Sequence, residues 1–570
     1  MWSSALLVAT PAARAKATVV VHVHGTSGMG KSDLVRHFLE GLPQGDAPLL
    51  LEGRCHEREW VPYKAFDGIV DAIARWLDEQ GQLEVGRLLP TGFAALVRLF
   101  PVLGRIDPGA GEADDEVPDP QELRRRAFVA LRSLLTAIGR RRVLVLHIDD
   151  VQWADADSAA LLDALLAPPG PPPMLLLAGY RTEEAAASGF VASLPSRARP
   201  IAEIEARELI VGPLSASDGE GLARAILGGD DEATARRAGR IAREAGGSPF
   251  FVQELARHAA AAPNDDGIAL SEVVGARVAA LAPDVRALLE LVGVAGKPVG
   301  PAVLKLASGL DGEREQEAMT LLRAGCLVRA KGRGDEARVE PYHDKIREAV
   351  VRGLSEGTLR ARHLSLATAM ESSRGVDPEA LAMHFQGAGE PGRARVYFEA
   401  AAQRAERVLA FDRAADLYRS ALGLAGSADQ PAIELRLADA LTKAGRGAEA
   451  AKAFLHAAER VSGDQALMAR RKAVEQLLRA GHMEEGLAVA SVLLPQVGMK
   501  FTKTPKHALV SMLASRLKLR LRGLGFSERS EAQLDPQKLH RIDLCWSLGN
   551  GLGGTDMIRG ADFQARHLLL

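Results

Sequence analysis

The sequence predicts a multidomain chain, an α/β domain built on a parallel sheet followed by an all-α C-terminal half, on three observations. Apolar runs at residues 17–24 (ATVVVHVH), at RRVLVLHIDD and at PPPMLLLAGYR lack the polar alternation of a half-exposed strand and read as strands buried on both faces. From about residue 360 the text is almost wholly helical, with glycine-marked turns between alanine-rich amphipathic segments. At 570 residues, with 47% hydrophobic and 25% charged side chains, the chain is long enough for three or four domains with ordinary cores.

Composition removes several classes of function. A formal net charge of −2 gives no overall basic excess, so any nucleic-acid role must be local. Cys55, Cys326 and Cys545 are far apart and lack CxxC or Cys/His spacing, which argues against a disulfide framework or a zinc site and fits a reducing cytoplasm. The opening MWSSALLVATPAARAKA has a short apolar run but no basic n-region, so residues 1–18 are expected to be a remnant or linker rather than a signal peptide. Every long apolar run is broken by charge or proline, so no transmembrane segment is expected.

The first apolar strand runs into GTSGMGKSD, residues 25–33. Gly25, Gly28 and Gly30 permit the tight path that turns the N–H groups of Thr26, Ser27, Gly28 and Met29 toward phosphate oxygens. Lys31 is expected to reach the β- and γ-phosphates, and Ser32 to hold Mg²⁺ through its hydroxyl. Asp33 opens the amphipathic DLVRHFLEGL, which places a helix N-terminus behind the phosphates. ATP or ADP with Mg²⁺ is therefore the expected ligand.

The second run ends in Asp149 and Asp150. Two carboxylates at the end of a buried strand call for something positive at that edge, and Mg²⁺ is the candidate. Asp149 would hold the metal together with Ser32, and Asp150 would orient an attacking water; a helix N-cap is the competing use of either aspartate. The third run ends in Tyr180 and Arg181, and Arg181 should emerge on the same edge, able to sense a γ-phosphate unless it merely caps the strand at the surface. Lys31, Asp149, Asp150 and Arg181 form the candidate catalytic set. Residues 68–140 read as a helical insertion around the solvated acidic loop GAGEADDEVPDP.

HIDDVQWADADS, with Trp153 and Asp155 after the paired aspartates, resembles the extended second motif of the STAND class of P-loop ATPases, the signalling switches related to AAA and Orc-like ATPases. VGPLS at 211–215 resembles that group's GxP motif, which would lay Pro213 against adenine, although a plain loop proline reads equally. EAGGSPFFVQELARH at 244–258 is similar to its GNPLFVEEL lid element, with Ser248 where asparagine is frequent. Helices followed by two short strand-like runs around LVRAKGRGDEARVEPYH suggest a winged helix. In the resembling switches this module carries a His-Asp pair that touches the β-phosphate of ADP, and His343 and Asp344 match it, preceded by Tyr342 in place of Met. A helix-start Asp344 with a packing His343 is the alternative. The stretch 301–322 is mixed in sign, so DNA binding by this module is not favoured.

Gly389, Gly445 and Gly481 mark turns in the helical half, the last two spaced close to the ~34-residue tetratricopeptide period. Stacked helix pairs of this kind would form a solenoid that takes a peptide or protein partner, with self-association a weaker expectation. Residues 500–522 form a basic stretch that could lie on an anionic membrane or bind nucleic acid, but reads foremost as an exposed helix between repeats.

The expected division is 19–205 for a P-loop ATPase domain, 206–268 for a helical lid, 269–358 for a winged helix and 359–570 for tetratricopeptide-like repeats. The abrupt ends, together with GRCHEREWVPYKAFDGIVDA at 53–72, resemble the regulatory portion of bacterial serine/threonine kinase-ATPase-repeat proteins, although no kinase HRD or DFG set occurs. The function expected is a signal-transduction switch that binds and slowly hydrolyses ATP. The alternatives are an ATP-controlled winged-helix transcription regulator and a regulatory fragment of such a kinase.

Overall fold

The computed structural model describes residues 17–42, 48–57, 61–107, 119–229, 231–261, 277–331, 337–373, 377–502, 504–523 and 535–570, with residues 275 and 525. The segment 1–16 and residues 108–118 of the acidic loop lie outside this set. The chain divides into two compact units, Met1–Tyr397 with Arg407–Ala410 and Phe398–Glu406 with Phe411–Leu570.

The first unit is built on a five-stranded parallel sheet. Its strands are β1 (Thr18–Gly25), β2 (Leu49–Arg54), β3 (Leu144–Asp149), β4 (Leu175–Arg181) and β5 (Ile204–Ile210), in the spatial order β5-β1-β4-β3-β2. The apolar runs explain the centre: β3 is buried throughout, and Val19, Val20, Val21 and Val23 of β1 are covered on both faces. Helix Lys31–Glu40 lays Val35 and Phe38 on this core.

β5 corrects the expected boundary at residue 205. It pairs with β1 from Thr18↔Ile204 to His24↔Ile210, so the sheet continues past that boundary. The strand is a sheet edge, and its Glu205, Arg207 and Glu208 hide it from a search for apolar runs.

After the sheet, helices Ala216–Leu227, Glu232–Glu244 and Pro249–Ala261 close on a small core of Ala223, Ala238, Ile241, Val252 and Ala256. Helices Pro283–Ala295, Pro301–Ser308 and Gly312–Ala324 then precede an antiparallel hairpin of β6 (Val328–Lys331) and β7 (Arg338–Pro341). Val299 bridges to Val339 and ties the hairpin to the helices. Leu288, Val292, Leu304, Leu322, Val339 and Ile346 share one core, which fixes the start of helix Asp344–Arg352.

The second unit is helical wherever it is described. Small residues make the helix contacts, with Ala438, Ala450, Ala451, Ala457, Ala469 and Ala473 all fully buried. The turn glycines are left-handed, Gly445 at φ 81° and Gly481 at φ 84°. Each closes its helix in the same way: Arg446 N–H donates to the Leu441 carbonyl and His482 N–H to the Leu477 carbonyl, both at 2.9 Å. Among the described residues no helix is long and apolar enough to cross a membrane.

Gly481→Val should cost about 1–3 kcal/mol, because a β-branched residue resists this backbone conformation. Gly423→Ala, inside helix Phe411–Leu424 with open space around it, should not destabilise the chain. Urea unfolding followed by circular dichroism separates the two.

Candidate nucleotide site

The C-terminal ends of β1, β2, β3 and β4 meet at one edge of the sheet. In register, Gly25 lies beside Arg181 and Arg54 beside Asp149. Order β5-β1-β4-β3-β2 puts the loop after β1 between chain connections that leave in opposite directions, the place where open α/β sheets receive ligands.

The loop after β1 turns through Gly28 and Gly30 at φ 85° and 84°, angles that glycine adopts without steric cost. Lys31 opens the following helix and folds inward, its Nζ donating to the carbonyls of Gly25 at 2.8 Å and Thr26 at 3.0 Å. Burial lowers its pKa, opposed by the charges of Asp150 and Asp149. Gly30 contributes no side-chain cap, so the first-turn N–H groups face the loop as an anion cradle. The Ser27 N–H donates to Glu183 at 3.1 Å.

Behind the cradle, the Ser32 hydroxyl donates to Asp149 Oδ2 at 2.6 Å. A hydroxyl and a carboxylate converging beside a lysine are a fitting donor set for Mg²⁺ bound to phosphate. A side chain at Gly179 would meet Asp149 Oδ1 at 2.7 Å, so the neighbouring strand must be bare at that point. Burial pushes the Asp149 carboxyl up, but Arg54, His147 and the Ser32 hydroxyl outweigh it and hold the pKa below its ordinary value.

Asp150 follows at φ 55° and turns the chain away from the sheet. Burial and the charge of Asp149 raise its pKa against the pull of Arg54 and Arg181. Arg54 grips it through Nε at 3.1 Å and Nη2 at 2.9 Å, and Arg181 Nε lies 3.8 Å away on the other oxygen. The helix-capping role considered for these aspartates belongs to Asp155, which accepts from Ser158 N–H at 2.6 Å.

Arg181 is largely buried and is not a surface cap. It contacts Asp344 at the start of the helix after the hairpin. His343 Nδ1 accepts from Lys345 N–H at 3.1 Å, while its ring stacks on Phe250 at 3.8 Å between centroids. Burial is the main cause that lowers the His343 pKa, to about 4. The neutral ring with Nδ1 accepting leaves Nε2 as a hydrogen donor.

A cavity of about 350 Å³ brings these groups together, lined by Ser27, Gly28, Gly30, Lys31, Ser32 and Asp33 from the loop and helix, and by Arg54, Asp150, Arg181, His343 and Asp344. Asp33 pairs with Arg36 at the exposed rim. Met29 packs toward the sheet core. Pro213 is not among the lining residues and abuts Gly247, whose added Cβ would lie 2.7 Å from it. Sequence reading missed Arg54, whose only signal is an arginine ending the short apolar run LLLEGR, and Phe250, which reads there as lid core. It also missed the Ser248 hydroxyl donating to the Gly28 carbonyl at 3.1 Å, a contact that ties the helix at 249 to the phosphate loop.

These features define a P-loop nucleotide site on an α/β sheet, and residues 4–177 match the family described as AAA ATPase domain. The stretch 4–177 is thus similar to an AAA ATPase domain, as its motifs imply, and from Asp344 onward the described elements are all helices. It is 26% identical over 400 residues to an uncharacterized protein of Rhizobium meliloti (strain 1021), an alignment spanning 65% of this chain and 37% of that relative. The chain therefore matches little more than a third of that protein's length. Among solved structures, it is similar to a Signal Transduction ATPase with Numerous Domains (STAND) protein with a tetratricopeptide repeat sensor from Pyrococcus horikoshii. That alignment has 12% identity and TM-score 0.43, covering 98% of this chain and 83% of the other. A Walker-type ATPase of Pyrococcus abyssi aligns at 13% identity and TM-score 0.30, over 61% of this chain and 94% of the other.

In an NMR titration His343 should stay neutral until about pH 4, whereas an unperturbed histidine protonates near 6.5. Arg54→Ala should lower stability on the order of 3 kcal/mol by leaving Asp150 buried with one cation fewer, and Asp150→Asn in the same background should recover part of the loss.

Proposed function

We propose that the chain is an ATP-binding signal-transduction switch, in which nucleotide sets the state and slow hydrolysis resets it. The observation that supports this best is Arg181, which lies against Asp150 at the sheet edge and against Asp344 beyond the hairpin. A group shared by the phosphate pocket and a neighbouring module gives the nucleotide a physical route to the rest of the chain.

In this reading Lys31 and the loop amides hold the phosphates, and Ser32 and Asp149 hold Mg²⁺. The metal supplies neutralisation of charge on the phosphate oxygens. Asp150 orients the attacking water once its carboxylate is free of Arg54. With ADP bound, Arg181 stays on Asp344 and His343 offers its Nε2 proton to the β-phosphate. A γ-phosphate competes with Asp344 for Arg181 and loosens the module that spans 269–358, which we read as a winged helix. Residues 211–268 act as the lid, with Pro213 toward adenine, and the tetratricopeptide-like helices from 359 onward take a protein or peptide partner. A cytoplasmic setting fits the cysteine usage.

The test is the nucleotide carried by the purified chain, read by denaturation and chromatography, with steady-state turnover beside a Lys31→Ala control. Retained ADP and turnover below about one per minute, against the usual ~10 per second of enzymes, is expected. An empty site with rapid turnover that Lys31→Ala abolishes would make the chain a working ATPase instead. Asp344→Ala should speed release of a fluorescent ADP on the order of tenfold, and an unchanged release rate would remove the Arg181 route.

A further inference from the structure

Helix Pro505–Arg522 is packed the wrong way round for a helix that serves only the core. Its covered face carries small residues: Ala508 and Ser515 are buried, and the Ser511 hydroxyl donates to Asp562 at 2.8 Å. Arg566 of helix Met557–Leu569 donates to the same Ser511 oxygen at 2.7 Å, which fixes the rotation of the helix. Most of its large apolar side chains instead face outward, with Leu519 and Met512 half-buried on the covered side. Leu509, Val510, Leu513, Leu517 and Leu521 are 42–79% exposed, and the three-to-four-residue spacing sets them on one side along about 18 Å.

The same exposed arc is cationic. Lys506, Arg516 and Arg520 are interleaved with the leucines, exposed Lys518 flanks them toward the covered side, and the helix contains no Asp or Glu. Among the described residues these four cations form no ion pair. Leucines flanked by long basic side chains suit a boundary where apolar tips enter hydrocarbon and charged heads reach back to an anionic layer. The helix also has no Phe, Tyr or Trp on which a nucleic-acid base could stack, and His507 is its one aromatic ring. An outward helix face rather than a groove favours a planar partner over an inserted peptide.

We infer that helix Pro505–Arg522 is an interfacial attachment element for an anionic phospholipid surface. It lies in the plane of one leaflet and does not span it. The attachment needs neither nucleotide nor the phosphate loop.

The experiment is co-sedimentation of the 570-residue chain with phosphatidylcholine vesicles made with and without phosphatidylserine, at low and high salt. At low salt the anionic vesicles should bind at least roughly tenfold more protein, and high salt should remove most of the difference. Lys518→Glu with Arg520→Glu should abolish the preference, as should Leu513→Ser with Leu517→Ser. Both variants change exposed side chains, and circular dichroism together with retained nucleotide reports that they are folded. Equal binding to both vesicle types, no binding to either, or binding kept in both folded variants overturns the inference. So does a dimer in light scattering that the leucine variant dissociates while wild-type protein ignores vesicles, since a second copy then covers the face.

Discussion

Asp150 held between two guanidiniums is the constraint on which the rest of the site depends. A buried strand that ends in adjacent carboxylates places two like charges where water is scarce, and neither could stay ionised alone. Arg54 from β2 and Arg181 from β4 approach Asp150 from the two neighbouring strands, so the sheet itself carries the compensating charge. Asp149 is then free to serve Ser32 at 2.6 Å. Because Arg181 also contacts Asp344, the charge balance of the sheet edge extends into the helix that follows the hairpin.

That extension joins the module after the hairpin to the phosphate loop by side-chain contacts. Ser248 bonds the carbonyl of Gly28, Phe250 stacks on His343, and His343 caps the helix that begins with Asp344. Burial lowers the His343 pKa, so its part in the network is that of a hydrogen-bond acceptor at Nδ1 and a stacked ring, while the charge is left to Arg181 and Asp344.

The helical half is organised by a different economy. Alanine at the contacts lets helices approach closely, and left-handed glycines stop each helix at a fixed place. Larger apolar side chains fill the centre where Leu493, Leu494, Leu548 and Phe563 cluster. On helix Pro505–Arg522, by contrast, leucines stand outward among cations.

The phosphate loop, the paired aspartates and the glycine turns were legible because each is written in consecutive residues whose chemistry has few other uses. GTSGMGKS constrains its own backbone, and four β-branched residues before it can hardly be anything but a buried strand. β5 was not legible, since an edge strand carries charges and its pairing with β1 comes from distant chain. Arg54 was invisible for the same reason: its meaning depends on the register that sets it beside Asp149. By itself the sequence determined the local devices, the cradle, the paired aspartates at the strand end and the helix stops, because short-range sterics and hydrogen bonding fix them. Only tertiary structure decided which cations neutralise Asp150, that Arg181 reaches Asp344, and which face of helix Pro505–Arg522 meets water. Those outcomes depend on strand order and packing between residues up to 163 positions apart.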